Sequence, residues 1–146
     1  MPTLARTASF GAIQVLLGDG ADPETFSAPC GFTSKSHTQT QAMNETAVPY
    51  CDDPDKPSEI ERDVVSRSSA ISGSGVMDQV SVATWQAWYD SGLQKNVKVI
   101  KPAGSSTITT TQPYHLSSFE VTVEKGGKAA VSVQMESTGA PVTVTA

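Results

Sequence analysis

Three carboxylates in a row of seven residues, CDDPDKP, are the first candidate for chemistry: Asp52, Asp53 and Asp55. Closely spaced carboxylates suit calcium, which takes roughly six to eight oxygen ligands. The spacing of a helix–loop–helix calcium site is absent, however, and Pro54 and Pro57 stiffen the segment. A solvated, turn-rich loop is the simpler reading, and GDGADPE, with Asp19, Asp22 and Glu24, adds ligands only if the fold brings it near. The two histidines, His37 and His115, have no neighbouring serine or cysteine motif that would pair a nucleophile with a base. Both read as solvated surface groups. No phosphate-cradling loop, zinc-binding helix or nucleophile elbow is present. Cys30 and Cys51 are too few and too far apart for a disulfide framework or a zinc site, and read as free thiols. An enzyme is the reading with least support, and no cofactor is expected.

The totals bound the rest. With 146 residues, 38% apolar and 17% charged, the chain suits one domain with a self-sufficient core. The net charge of −5 argues against generic nucleic-acid binding through phosphate neutralisation. No apolar run approaches the roughly 18 residues of a membrane span. The start, MPTLARTASFG, lacks an apolar core, so no signal peptide is expected and the cytoplasm is the default compartment.

The elements that would position these groups are mostly strands. FGAIQVLLG (10–18) reads as a buried strand stopped by a glycine-rich turn, and ETFSAPCGF as a short edge strand broken by proline. TSKSHTQTQ (33–41) is polar on both sides, so it faces water, a partner or a wet channel. The segment 43–61 reads as a long connection, and loops of that length in compact domains are functional or disordered. A strand resumes over 62–76, with Val65 and Ile71 on one side and Ser66, Ser68, Ser72 and Ser74 on the other. Ser-Gly-Ser-Gly at 72–75 suggests a bulge or bend. One helix is expected over 78–91, N-capped by Asp78, ended by Gly92, and placing Val82, Trp85, Trp88 and Tyr89 on its core face.

Strands follow again at 97–100, through the Thr-rich GSSTITTTQP, at 119–123, at 129–135 and in the closing APVTVTA. A two-residue turn at Gly126-Gly127 would set the apolar face of one strand beside the polar face of the next. An odd-length turn, of three residues with glycine in the left-handed position, restores the match. The sum is a mainly β chain (α+β) of six to nine strands: a two-sheet β-sandwich or barrel with one flanking α-helix.

Read in order, GDG-x-x-PETF, CGFTSKSHTQTQ, CDDPDKP, ISGSGV before a tryptophan-bearing helix, and a closing S-x-G-A-x-V-T-x-T-A resemble one family. It is the major tail tube proteins of long-tailed (siphophage-like) bacteriophages and phage-derived gene transfer agents. The resemblance covers about 18–146. It implies a single tail tube domain over 1–146, with an N-terminal arm at 1–9 and a long inter-ring loop at 43–61. It also implies a structural virion protein that assembles into homohexameric rings, stacked into a hollow tube that delivers DNA to the host. Implied partners are a tape-measure protein in the lumen, tail terminator and distal tail proteins at the ends, and DNA in transient, non-specific passage, with no membrane. The location implied is a virion tail assembled in the bacterial cytoplasm.

On that reading Asn44, Glu45, Tyr50, Asp52, Asp53, Asp55 and Lys56 belong to the inter-ring loop, and Ser66, Ser68, Ser72 and Ser74 are lumen-facing candidates. Two alternatives stay open: the tube protein of a contractile or type VI injection apparatus, and a calcium- or carbohydrate-binding β-sandwich module.

Overall fold

Runs of β-branched and small polar residues, punctuated by glycine turns, fold here into one continuous eight-stranded sheet. The structure is a computed structural model that describes residues 2–146. The strands are β1 (Gln14–Gly18), β2 (Phe26–Ser27), β3 (Phe32–Val48), β4 (Glu59–Val76), β5 (Lys95–Ala103), β6 (Ser106–Thr122), β7 (Ala130–Ser137) and β8 (Val142–Thr145). They lie in the order β2-β1-β5-β6-β7-β4-β3, with β8 beside β6. All pairings are antiparallel. β6 is the shared strand of a curled half-barrel. Its first half pairs with β5 and β8, its second half with β7. The two layers expected of a sandwich are thus two halves of one sheet. The Thr-rich segment and the strand expected at 119–123 both lie in β6.

The sheet curls around one helix, α1 (Gln79–Ser91). Asp78 caps it by accepting from the Ser81 amide at 3.1 Å and the Ser81 hydroxyl at 2.8 Å, which holds the Asp78 carboxyl below the usual range. Gly92, at φ +66°, closes it in the left-handed region. Trp85 and Trp88 are 2% and 3% exposed and stack at 5.8 Å. They meet Val15 and Leu17 of β1, Ile71 of β4, Val97 and Val99 of β5, Tyr114 of β6, and Val131, Val133 and Met135 of β7 in one core. The expected core face of the helix is narrower than its spacing suggests. Val82 is half-buried and Tyr89 is 57% exposed, because the two stacked indoles fill the seat and Tyr89, one step of about 100° beyond Trp88, turns to solvent.

Other expectations are also corrected. Residues 10–12 form a 3-10 turn, and the strand starts only at Gln14. The connection expected over 43–61 is irregular only over 49–58; its flanks are strand, paired from Met43↔Val64 to Val48↔Glu59. Alternation there is disguised by charged residues on both faces. The irregularity expected at 72–75 falls on the partner strand, where the register shifts between Phe32 and Ser34. The glycines serve a close approach instead. A Cβ at Gly73 would lie 2.9 Å from the Phe32 ring, which crosses β4 there to meet Trp85 edge-on at 5.8 Å. Between β6 and β7, Val121 faces Val131 and Phe119 faces Val133, so apolar residues match across the ladder. That register is odd in parity, with Gly126 at φ +89°, although the unpaired connection has seven residues (123–129) rather than three. Of the arm expected at 1–9, Met1 lies outside the described residues; 2–9 form no helix or strand and are exposed.

Candidate functional site: a polar sheet face and a projecting hairpin

Two surfaces stand out. The first is the sheet face turned away from α1. Because strand side chains alternate, burial of Ile71, Val131, Val133 and Met135 on one face assigns their neighbours to the other. Ser66, Ser68, Ser72 and Ser74 of β4 all lie on that outer face, as the sequence alternation requires. Beside them register Ser36, Thr38 and Thr40 of β3, Ser132, Gln134 and Glu136 of β7, and Ser118 and Glu120 of β6. The result is a smooth band of small polar groups across four strands, carrying carboxylates but neither lysine nor arginine. The signal for the β7 and β6 contribution was in the alternation of 119–123 and 129–135. What sequence reasoning missed was that these strands lie beside β4.

The second surface is the far part of the β3–β4 hairpin. β7 pairs with β4 only over Ala70–Val76, so 59–69 run on with β3 alone. From Thr38 to Ser68 no residue is buried. At its base the hairpin is clamped. The Ser69 hydroxyl donates to Gln112 Oε1 at 2.8 Å and shares a 2.6 Å hydrogen bond with the Tyr114 hydroxyl. The Ser69 amide donates to Ser137 Oγ at 2.8 Å, and Gln112 Nε2 to the Gly139 carbonyl at 2.9 Å. Burial pushes the Tyr114 phenol above its usual value, which keeps it protonated and available to this cluster.

All the residues expected in an inter-ring loop lie on the projecting part, but not all in a loop. Asn44 and Glu45 are strand residues opposite Asp63 and Arg62. Glu45 and Arg62 form an exposed ion pair at 3.0 Å. At the tip the Tyr50 hydroxyl donates to Glu59 Oε1 at 2.9 Å, which raises its pKa, and Lys56 Nζ lies 4.4 Å from the centre of its ring. Asp52, Asp53 and Asp55 do not converge: among the described residues no group of three or more His, Cys, Asp or Glu could hold a metal. The Asp19 and Glu24 carboxylates instead organise their own turn, accepting from the Ala21 and Thr25 amides and the Gly20 amide. Cys30 and Cys51 are free and exposed.

His37 is not the solvated group its polar context suggested. It stands opposite Ile71 on the inner face of β3, half-buried, with neither ring nitrogen hydrogen-bonded. Burial, and then the charge of Lys101, push its pKa below 6.5.

The family model described as phage tail tube protein matches residues 8–143. In fold the chain is similar to a subunit in the tail of an empty gene transfer agent particle with C6 symmetry, at a TM-score of 0.77 and 17% identity, covering 94% of this chain and 99% of that one. It is similar to the SPP1 tail tube at a TM-score of 0.62 and 12% identity, covering 94% and 78%. It also resembles a chain of the sheath–tube complex of PVC, an extracellular contractile injection system, at 0.62 and 11% identity, covering 96% and 93%. No curated protein matches in sequence.

Proposed function

Because the chain belongs to the phage tail tube protein family, we propose that six copies close into a ring and that rings stack into the hollow tube of a virion tail. Its role is structural, and no catalysis is assigned to it. The observation that carries the reading is the outer face of β3, β4, β7 and β6. A surface lining a DNA channel must let phosphates slide, so it should be hydrophilic, free of projecting bulk and free of cations that would hold the backbone. The Ser/Thr band with Glu120 and Glu136 meets each condition. We place Ser66, Ser68, Ser72 and Ser74 in the lumen, where a tape-measure protein would first lie and DNA would later pass.

Ring closure has a supply of edges. Among the described residues β3 pairs only with β4, so its other edge is open along 17 residues. Such an edge is a liability in a monomer and a joint in a ring. The projecting hairpin, with Asn44, Glu45, Tyr50, Asp52, Asp53, Asp55 and Lys56, is assigned to contact with the adjacent ring. Terminator and distal tail proteins would cap the stack, and assembly would take place in the bacterial cytoplasm.

The test is negative-stain electron microscopy of the purified protein at high concentration, with calcium and with a chelator. Sixfold rings or tubes, unchanged by the chelator, are expected. A monomer that calcium clearly stabilises would transfer the reading to a binding module.

A further inference from the structure

We infer that the projecting β3–β4 hairpin seats on the opposite end of a second copy of this chain, its carboxylates facing Lys125 and Lys128. The inference rests on the tube reading and names the surface that receives the hairpin.

The hairpin is incomplete alone. Its inner face continues the core-facing side of β3 and β4 but has nothing to cover it. Met43 stands opposite Val64, and Ala47 opposite Ile60. Met43, Ile60 and Val64 are 54%, 49% and 47% exposed. The Glu45–Arg62 ion pair stands between these two apolar pairs on the same face, and exposed apolar side chains to either side of it on a projecting element mark an interaction surface.

Its charge narrows the partner. Between 43 and 64 lie seven carboxylates (Glu45, Asp52, Asp53, Asp55, Glu59, Glu61, Asp63) against Lys56 and Arg62. That segment therefore carries −5, which is the formal charge of the whole chain, and the remainder is neutral. Glu45 is paired with Arg62 and Glu59 accepts from Tyr50. Among the described residues the other five carboxylates have no cationic partner within the protomer.

A matching surface exists at the other end of the same strand. β4 runs from Glu59 to Val76, and Val76 pairs with Ala130, so the far end of the sheet is the 123–129 turn. The Met77 amide donates to the Ala129 carbonyl at 2.9 Å and ties the turn to β4. Lys125 and Lys128 are exposed on it with Glu124, which leaves the turn a net +1, beside Val123 and Val76 at 68% and 50% exposure. The projection has apolar residues on its inner face and Glu59, Glu61 and Asp63 on its outer face; set against an end that carries Lys125 and Lys128, it makes a head-to-tail contact that repeats without closing, which is what a filament needs. Residues 59–69 extend about 37 Å beyond the β7 pairing at about 3.4 Å per residue. A copy stacked end-on has to accommodate that length.

The experiment compares tube growth, by light scattering and electron microscopy, in four full-length chains: wild type, K125E/K128E, E61K/D63K, and all four changes together. Circular dichroism confirms the fold of each. Each double variant should grow tubes more than about tenfold more slowly at moderate salt, since like charges juxtaposed at an interface cost several kcal/mol. The combined variant should recover growth. Normal tubes from K125E/K128E, or no recovery in the combined chain, would overturn the docking and leave the tube reading standing. Wild-type protein that forms neither rings nor tubes would overturn both. A second measurement does not depend on variants. Carbodiimide coupling of wild-type tubes should join the peptide holding Lys125 or Lys128 to one from 43–64, and coupling of the hairpin only to other lysines would refute the assignment.

Discussion

The two halves of the β3–β4 hairpin share one ladder and differ in nearly everything else. In the near half, Ile71 is 1% exposed, Phe32 crosses Gly73 to reach Trp85, and β7 completes the pairing. In the far half, beyond the register shift at Ala42/Met43, the backbone bonding continues while no side chain is buried. Hydrogen bonds alone therefore do not distinguish a strand that holds the fold from one that does not. Two-stranded ribbons are marginal on their own in water. The Ser69–Gln112–Tyr114 cluster fixes its base, and on the tube reading proposed above its stabilisation is deferred to a partner. On that reading folding and assembly are divided along one strand rather than between domains.

The sharpest way to break this division is to remove the far half. Replacing 45–62 with Asn-Gly joins the facing pair Asn44↔Asp63 by a two-residue turn. Tubes should disappear entirely in electron micrographs while the melting temperature hardly moves; a collapse of the melt would show that the hairpin belongs to the core. In the near half, Trp85→Ala should cost about 3–5 kcal/mol in denaturant unfolding. Ile60→Ala, on the far half, should cost about 1 kcal/mol or less in the monomer because its side chain is already half in water. Equal losses would erase the contrast.

At the junction, Tyr114→Phe should cost about 1–2 kcal/mol, since it removes a hydrogen bond from a buried serine hydroxyl. The smallest effect is in pH. The His37 pKa is lowered by burial, so the unfolded chain binds the extra proton first as pH falls below about 6.5. Stability should be constant above that value and decline below it, and His37→Leu should flatten the decline in melts taken across it.

Much of this was legible in the sequence, for physical reasons that differ by region. The helix announced itself through Asp78, Gly92 and the indole spacing, all local signals. The β6–β7 register followed from parity, since only an odd connection sets Val121 against Val131. The tail tube family was recognisable from the order of short motifs. The hairpin was misjudged because a strand with no buried face loses the alternation by which strands are detected, and charge with proline looks like loop. His37 was misjudged for the converse reason: its sequence neighbours are polar, while its burial comes from across the sheet. The outer polar face was half visible, as serines on one strand, and became a surface only once β7 and β6 were placed beside it.

The open edge of β3 has a bearing on accuracy of construction. A neighbour that joins this edge does so through backbone bonds that repeat with the pleat. A displacement by one residue would turn its polar face inward, so a rigid neighbour can slip only in steps of two residues, about 7 Å. Errors in placing a subunit are therefore discrete and large, not gradual. The register shifts at Phe32/Ser34 and Ala42/Met43 interrupt the repeat at two fixed points, and a misplaced neighbour would meet them out of phase. If β3 supplies the joint as proposed, the same strand also carries its own ruler.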